Sequence, residues 1–359
     1  MIQLSMWGLS CMKKSAKNGN RYCKTCGQKL IKNGHDRNGN QRWKCQTCNT
    51  SKRLPEDRQK KEKIIRICLD WILTKLTAEQ IGEKYGISRS TFYRWKQEFF
   101  KILPEFAITG EIYDSVIVDG KRIKGDMYLI ARTPKFVIYG LWAPGETVEA
   151  YMVLFSMFPK PQVLVMDGNK SIESAANKIY VNPSIQRCFV HIYRYIKRQV
   201  GKHPTTPAKR AIANVAAQLF TVDTKEKSEK WEKSFRKQYD KYKNEIMEKR
   251  PLKNPGGKTK YYWVNKNLHY AWHHILYPLN KGYLWSYLAH PKGNVPRDTN
   301  CLEGGVNSNL KQLNYVHRGM KKDDEQKMLQ WDLLRKSEFG INGFLEDYFS
   351  DIKSTQFGT

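Results

Sequence analysis

The sequence lacks long apolar runs and is poor in acidic residues. No stretch of its 359 residues approaches the roughly 18 consecutive apolar residues of a membrane-spanning helix, so we expect no membrane partner. Only 34 Asp and Glu stand against 63 Lys and Arg, which gives a formal net charge of +29. An excess of this size indicates a polyanionic partner, and nucleic acid is the first candidate.

The N-terminus also lacks the order of a secretory signal. Its first ten residues are mostly apolar, but Lys13 and Lys14 follow this stretch, whereas a signal peptide carries its charge in front. We therefore expect a cytoplasmic protein with a dispensable extension ahead of Met12. Eight cysteines fit that compartment, because four form a metal pattern and the others are scattered singly.

Those four cysteines follow a spacing that is typical of structural zinc sites. Cys23 and Cys26, then Cys45 and Cys48, form two C-x2-C pairs separated by eighteen residues. Two such pairs complete a tetrahedral set of sulfur ligands, whereas the alternative, a redox pair, occurs singly. We expect Zn²⁺ to hold a zinc ribbon here without taking part in catalysis. Residues 1–61 carry 15 Lys and Arg against 3 acids, so the ribbon is expected to contact phosphate.

Residues 76–97 have the pattern of two short helices joined by a tight turn. Thr77 and Ser88 suit helix N-caps, Gly86 suits the turn, and apolar residues at helical spacing supply the inner faces. The pattern is typical of a helix-turn-helix DNA-binding unit, although an ordinary helical hairpin also fits it. The second helix of such a unit meets base edges in the major groove of double-stranded DNA. The residues expected to face DNA are Arg89, Ser90, Tyr93, Arg94 and Lys96.

Two aspartates end strongly apolar runs in the middle of the chain. Strands and helices alternate there, which predicts an α/β domain, and Asp119 and Asp167 follow "SVIV" and "QVLVM". Asp119 with Gly120 also fits a hairpin turn, and Asp167 also fits a helix cap. An acid beside such runs is costly to bury unless a cation or several donors compensate it. This cost makes both aspartates candidate metal ligands.

A third acid, Glu303, lies in "DTNCLEGGVNSNLKQLN". Leu302, Val306, Leu310 and Leu313 fall on one stripe, which predicts an amphipathic helix. Asn300 and Glu303 have the spacing of a capping box, yet two glycines follow the glutamate inside the first turn. Cap and catalytic carboxylate are both open interpretations of Glu303, and a first-turn glutamate can face a metal while Asn300 caps the helix.

Three carboxylates in a strongly basic protein fit metal-assisted phosphoryl transfer on DNA. Mg²⁺ prefers oxygen ligands, and two ions about 4 Å apart activate the attacking oxygen and stabilise the leaving one. The predicted cofactors are therefore two catalytic Mg²⁺ ions at Asp119, Asp167 and Glu303, in addition to structural Zn²⁺.

The order of these motifs resembles a known enzyme family. A zinc ribbon and a helix-turn-helix, followed by "VDGKR", "VMDGNKS", "QRCFVHIYRYIK" and "TNCLEGGVNSNLKQLNYVHRGM", are similar to the Mutator-like DDE transposases of bacterial insertion sequences. The resemblance covers nearly the whole chain. It implies Asp119, Asp167 and Glu303 as first, second and third acids of an enzyme that binds terminal inverted repeats and joins DNA ends to target DNA. We expect a homo-oligomer on that DNA.

The family also implies a ribonuclease-H-like catalytic core with an all-helical insertion before the last acid. The expected domains are the zinc ribbon with its extension at 1–55, the helix-turn-helix at 56–108, the catalytic core at 109–192 and 299–345, and the insertion at 193–298. Cys188 and His191 match the family's Cys-x-x-His pattern and are possible accessory residues, although an ordinary buried Cys and His fit as well. His317 and Arg318 are expected to approach DNA phosphate.

Two further motifs are weak. His269 and His273 have the i, i+4 spacing of a metal pair, but no third ligand lies nearby in sequence. The run "NPGGKTK" imitates a phosphate-binding loop, but Leu252 stands where its first glycine belongs. Two functions compete with transposition: a non-catalytic DNA-binding regulator derived from a transposase, and a nuclease that only hydrolyses.

Overall fold

The computed structural model describes Cys23, Cys26 and residues 28–35, 41–53, 58–74, 76–252, 260–290 and 295–355. For a few residues within helices and strands, Glu303 among them, only the backbone is described. The chain divides after Ile65 into two compact units. No helix in the described part is long and apolar enough to cross a membrane. The larger unit has a mixed α/β architecture.

The smaller unit contains a three-stranded antiparallel sheet. Its strands are β1 (Leu30–His35), β2 (Gln41–Cys45) and β3 (Ser51–Arg53), with β2 in the middle. Leu30, Trp43 and Cys45 are buried and pack together with Cys23. Because this core is so small, the four cysteines beside it are the main candidates for holding the sheet together.

Three helices follow, and their ends are set by local sequence. They are α1 (Arg58–Thr74), α2 (Ala78–Tyr85) and α3 (Arg89–Phe99). The predicted caps are confirmed: Thr77 forms a capping box with Gln80, and Ser88 Oγ accepts a hydrogen bond from Thr91 N. Gly86 ends α2 at φ 63°, a left-handed conformation that favours glycine.

The larger unit is built on a five-stranded mixed sheet. Its strands are β4 (Ser115–Ile123), β5 (Asp126–Arg132), β6 (Val137–Ala143), β7 (Val163–Met166) and β8 (Ile185–Arg187), in the spatial order β6-β5-β4-β7-β8. The hairpin neighbours β4, β5 and β6 pair antiparallel, whereas β4, β7 and β8 are parallel. Strand β4 is therefore central, and its buried apolar residues explain that position.

The turn between β4 and β5 lies at Lys124 and Gly125, which have φ values of 45° and 98°. Asp119 and Gly120 lie inside β4, where Asp119 pairs with Ile130. The alternative interpretation of Asp119-Gly120 as a hairpin turn is therefore wrong. Two helices, α4 (Val148–Phe155) and α5 (Lys170–Ile179), pack on the sheet through the core that includes Leu154, Phe155 and Ile172.

The segment between β8 and the last acid is not all-helical, which corrects the prediction for 193–298. It contains α6 (Phe189–Val200), α7 (Pro207–Gln218), α8 (Lys225–Met247) and α9 (Lys266–Asn280), with a core around Phe235 and Trp272. Between α8 and α9, strands β9 (Lys249–Leu252) and β10 (Lys260–Trp263) form a two-stranded antiparallel ribbon. Three consecutive aromatic residues in "KYYW" suit a strand better than a helix.

The chain returns to the sheet through a π-helical segment, Cys301–Asn307, followed by α10 (Ser308–Val316), α11 (Lys322–Arg335) and α12 (Gly340–Thr355). The predicted stripe is confirmed, because Leu302, Val306, Leu310 and Leu313 are all buried. The capping box is not formed: the Asn300 side chain makes no cap hydrogen bond, and its backbone is already helical. Short π-helical segments often occur at functional sites.

Candidate active site

Asp119 and Asp167 lie beside each other on neighbouring parallel strands. Val118 of β4 pairs with Met166 of β7, and each aspartate is the next residue along its strand. Asp167 directly follows β7, so both acids lie at the carboxyl end of the parallel pair, where sites collect in α/β sheets. Both side chains are half-buried. The pairing of β4 with β7 thus brings together two aspartates that are far apart in sequence.

Each carboxylate oxygen of Asp119 accepts a hydrogen bond. The backbone N–H of Gly120 donates to Oδ1 over 2.9 Å, and the side-chain amide of Asn307 donates to Oδ2 over 2.8 Å. Asn307 is the last residue of the π-helical segment that also contains Glu303. The segment carrying the third predicted acid is therefore tied directly to the first acid, although the Glu303 side chain lies outside the described atoms.

Asp167 is oriented by the turn that follows β7. Its Oδ1 accepts a hydrogen bond from Asn169 N over 2.8 Å, and the cap of α5 is Asn169, whose side chain accepts from Ser171 N. The helix-cap interpretation of Asp167 is therefore wrong. Within the described part of the chain, no donor reaches Oδ2 of Asp167. That oxygen remains available to a cation.

A buried arginine, Arg187 of β8, lies next to Asp167. Its side chain is 4% exposed, and its Nε has no hydrogen-bond partner among the described residues. Burial lowers the pKa of Arg187, while the negative charges of Asp167 and Glu173 oppose that shift. The guanidinium occupies the space over Gly168, where an added Cβ would lie 1.2 Å from Nη1. Only glycine fits between this arginine and the aspartate.

A fourth acid, Glu146, lies close to Gly120, the neighbour of Asp119. Tyr151 of α4 donates a hydrogen bond to Glu146 Oε1 over 2.7 Å, and a Cβ on Gly120 would lie 2.3 Å from the same oxygen. Burial raises the pKa of Tyr151, and the hydrogen bond to Glu146 and the charges of Glu146, Asp167 and Asp119 raise it further. Tyr151 therefore stays protonated as a donor to Glu146.

Cys188 and His191 hold the return segment in place. Thr299, fully buried, donates to Cys188 Sγ from its N–H over 3.3 Å and from its hydroxyl over 3.5 Å. The same hydroxyl lies 3.4 Å from Nδ1 of His191. Burial raises the pKa of the Cys188 thiol, which keeps it protonated. This pair is thus positioned to anchor the chain two residues before the π-helical segment.

The expected DNA-facing residues of α3 differ in their surroundings. Arg89, Ser90, Tyr93 and Arg94 are exposed, and Arg89 forms an ion pair with Glu79 over 2.8 Å. Lys96 is half-buried, with its Nζ 4.4 Å from the ring centroid of Trp71. Four of the five side chains are therefore open to solvent on one helix, as DNA recognition requires.

His317 and Arg318 are placed differently from each other. His317 is buried, its ring packs against Trp71 at a tilted angle with ring centroids 4.7 Å apart, and its Nε2 lies 3.0 Å from Ile72 O. The His317 ring therefore packs α1 against the end of α10. This corrects the expectation that His317 approaches phosphate. Arg318 is exposed beside the ring of Tyr315 and remains available to an anion.

Four thiols converge in the smaller unit. The Sγ atoms of Cys23, Cys26, Cys45 and Cys48 all lie within 4.8 Å of one another, and the Cys23–Cys48 and Cys26–Cys45 pairs are 3.3 and 3.4 Å apart. A zinc tetrahedron with Zn–S bonds of about 2.3 Å has sulfurs about 3.8 Å apart, so the set fits such an ion closely. In the described part of the chain, it is the one group of three or more ligands close enough for a metal.

No protein-family model matches this chain, and no curated protein matches its sequence. Its function therefore has to be inferred from the geometry of the site.

Sequence patterns did not point to four residues of this site: Asn307, Glu146, Tyr151 and Arg187. Gly120 inside a strand was a usable signal, because an interior glycine often marks the close approach of another group. Arg187 is the last residue of β8 and directly precedes Cys188, the residue at the start of α6. The His269–His273 pair is confirmed only as a contact, with ring centroids 4.1 Å apart and no third ligand among the described residues.

Proposed function

We propose that the protein is a Mutator-like DDE transposase that binds the terminal inverted repeats of its insertion sequence, cleaves DNA and transfers the ends to target DNA. One observation carries the proposal: β4 and β7 bring Asp119 and Asp167 side by side, and Asn307 ties the Glu303 segment to Asp119. Two acids from separate parts of the sequence thus lie at one edge of one sheet, and the segment that carries the third is bonded to the first of them.

The sheet supports a ribonuclease-H-like core. Such cores have a central first strand, an antiparallel hairpin on one side of it and parallel strands on the other. Strand β4 has β5 and β6 on one side and β7 and β8 on the other, with those directions. The insertion follows β8 and the third acid follows the insertion, which is the order that the resemblance implies.

The donor set fits magnesium better than a softer metal. Two half-buried carboxylates and the partnerless buried Oδ1 of Asn307 offer oxygen atoms only, which is the chemistry that Mg²⁺ prefers. Bound Mg²⁺ would supply Lewis-acid activation of the attacking hydroxyl and neutralise charge at the leaving oxygen. Asp119, Asp167 and Glu303 would hold it.

The remaining residues keep these carboxylates in place. The hydrogen bonds from Gly120 N and from the Asn307 amide fix the orientation of the Asp119 carboxylate. Arg187 of β8 compensates the charge of Asp167, and Tyr151 fixes Glu146. Fixed groups of this kind reduce the reorganisation that accompanies phosphoryl transfer.

DNA would be recognised outside this site. The exposed basic and aromatic side chains of α3 suit the major groove, and a zinc ribbon held by the four cysteines would add contacts to phosphate. A homo-oligomer on DNA would bring two element ends together, so we expect two or more copies in the active complex.

A strand-transfer assay tests the proposal. The substrate is a duplex ending in the repeat that flanks the coding region, with supercoiled plasmid as target and Mg²⁺ present. We expect Asp119→Asn and Asp167→Asn to retain duplex binding and to lose joining. Asp114→Asn, which changes an exposed carboxylate just before β4, is the matched control and should join like wild type.

Metal binding gives a second readout that does not depend on activity. Electron paramagnetic resonance of added Mn²⁺ should show binding to wild type and Asp114→Asn, and weaker binding to the two site variants. Joining by Asp119→Asn would refute the site. Duplex binding by wild type without joining or hydrolysis would instead indicate a non-catalytic regulator, and hydrolysis without joining would indicate a nuclease.

A further inference from the structure

The ribbon formed by β9 and β10 has two faces with different surroundings. Residues paired across antiparallel strands share a face, so Arg250, Leu252, Lys260 and Tyr262 lie on one side, here called the outer face. The other side carries Trp263, which stacks on His269 of α9 with ring centroids 3.7 Å apart. One face therefore attaches the ribbon to the protein, and the outer face remains open.

Every side chain of the outer face is exposed. Leu252 is 44% exposed and Tyr262 is 47% exposed, while Tyr261 on the other face is 64% exposed. A two-stranded ribbon is marginally stable alone, and large apolar side chains on an open strand favour aggregation. Basic residues and Pro251 protect strand edges, but such protection does not explain exposed tyrosines. The aromatic side chains indicate a partner.

Charge identifies the class of partner. Residues 249–263 contain five Lys and Arg and no acid. Among the described residues the nearest acid in sequence, Glu248, forms an ion pair with Arg250, and Lys260 has no ion-pair partner. Basic residues on a ribbon are suited to the charged groups of a polyanion, and aromatic residues are suited to flat groups with polar edges. Nucleic acid has this chemistry, and the DNA major groove, about 12 Å wide, admits a two-stranded ribbon.

We propose that the outer face of the ribbon is a second duplex DNA contact, in which Arg250 and Lys260 pair with phosphates and Tyr262 packs between them. The inference rests on the proposed function for the identity of the partner, since a transposase must hold DNA along more than its recognition helix. The stack of Trp263 on His269 attaches the ribbon to α9, and Lys249 Nζ, 4.0 Å from the Trp263 ring centroid, joins the two strands.

Salt dependence of DNA binding tests the contact in the full-length protein. The probe is a labelled duplex of mixed sequence, because phosphate contacts do not need a particular site. The plot of log K against log salt concentration has a negative slope. Removing two phosphate contacts in Arg250→Ala/Lys260→Ala should make this slope less steep by about 1.8. Lys230→Ala/Lys237→Ala removes two exposed charges from α8 and is the matched control, with the wild-type slope expected.

The outcomes separate the two proposals. A ribbon variant that binds like wild type, while Arg89→Ala/Arg94→Ala weakens binding, overturns the ribbon contact and leaves the transposase proposal standing. Failure of wild type to bind any duplex overturns both. If the double variant unfolds, a photo-crosslinking residue in place of Tyr262 decides the matter, because a crosslink to duplex DNA is expected and its absence refutes the contact.

Discussion

Asn307 donates a hydrogen bond from its side-chain amide to Oδ2 of Asp119 across 2.8 Å, between residues 188 positions apart in the chain. Its own carbonyl oxygen, Oδ1, is buried and has no partner among the described residues. One side chain thus fixes a candidate catalytic carboxylate and also carries a buried acceptor without a described partner, next to a site that we propose to bind cations. A purely structural asparagine would have both ends satisfied.

Asn307→Ala is expected to lower strand transfer about 10- to 100-fold, the usual cost of losing a residue that orients a metal ligand. Strand-transfer rates and Mn²⁺ affinity should fall together, while duplex binding stays unchanged. Asn309→Ala is the matched control, because Asn309 makes the same kind of bond, 2.8 Å to buried Asp332, within the C-terminal helices. Equal losses of transfer in both variants would reduce Asn307 to a packing role.

Gly168→Ala should damage the site far more than its backbone conformation alone explains. Gly168 has φ +100° and its Cβ would overlap the Arg187 guanidinium, whereas Gly125 has φ +98° and open space around it within the described part. Both substitutions strain the backbone by about 1–2 kcal/mol. Gly168→Ala must also displace a buried arginine from beside Asp167.

Thermal unfolding and strand transfer distinguish these two effects. We expect Gly125→Ala to lower the melting temperature modestly with transfer preserved. Gly168→Ala should lower it further and abolish transfer. Similar behaviour of the two alanine variants would mean that Arg187 yields easily and is not needed against Asp167.

Local features of this fold were predictable, and long-range ones were not. Thr77 and Ser88 act through neighbours three residues away, so their caps follow from sequence. The adjacency of Asp119 and Asp167 depends on parallel pairing of β4 with β7 across the whole β5–β6 meander. The periodicity around Asn307 predicts a helix and its buried face, but it does not predict which group the amide of Asn307 contacts.

The cysteine set is expected to bind one zinc ion per chain. Three of its Sγ–Sγ distances are 3.3–3.7 Å, close to the edges of a zinc-thiolate tetrahedron, and the four cysteines are free thiols rather than disulfides. Metal analysis of the purified protein should find one equivalent, and Cys45→Ser should lose it. Cys68→Ala is the control, because Cys68 is buried in α1 outside the set. Equal zinc loss in both variants would contradict the assignment.

His274 is expected to make the folded protein less stable in acid. Its ring stacks on Tyr195 at 3.9 Å, and burial, with the positive charges of Arg187, Arg198 and His191, lowers the pKa of His274 to about 3. Between pH 6.5 and pH 3, His274 therefore binds a proton in the unfolded chain but not in the folded chain. Stability conferred by neutral His274 is complete above that pH and is lost progressively as the pH falls toward 3.

At pH 5 the inability of folded His274 to bind a proton lowers the free energy of unfolding by about 2 kcal/mol, because each pH unit between 6.5 and 5 contributes about 1.4 kcal/mol. His274→Phe keeps an aromatic ring against Tyr195 but binds no proton, so its stability should fall by that much less between pH 7 and pH 5. Urea unfolding followed by tryptophan fluorescence measures the difference. His203 is exposed, so His203→Gln is the control for removing any one histidine. If the free energy of unfolding of this control depended on pH as weakly as that of His274→Phe, the role of His274 would be refuted.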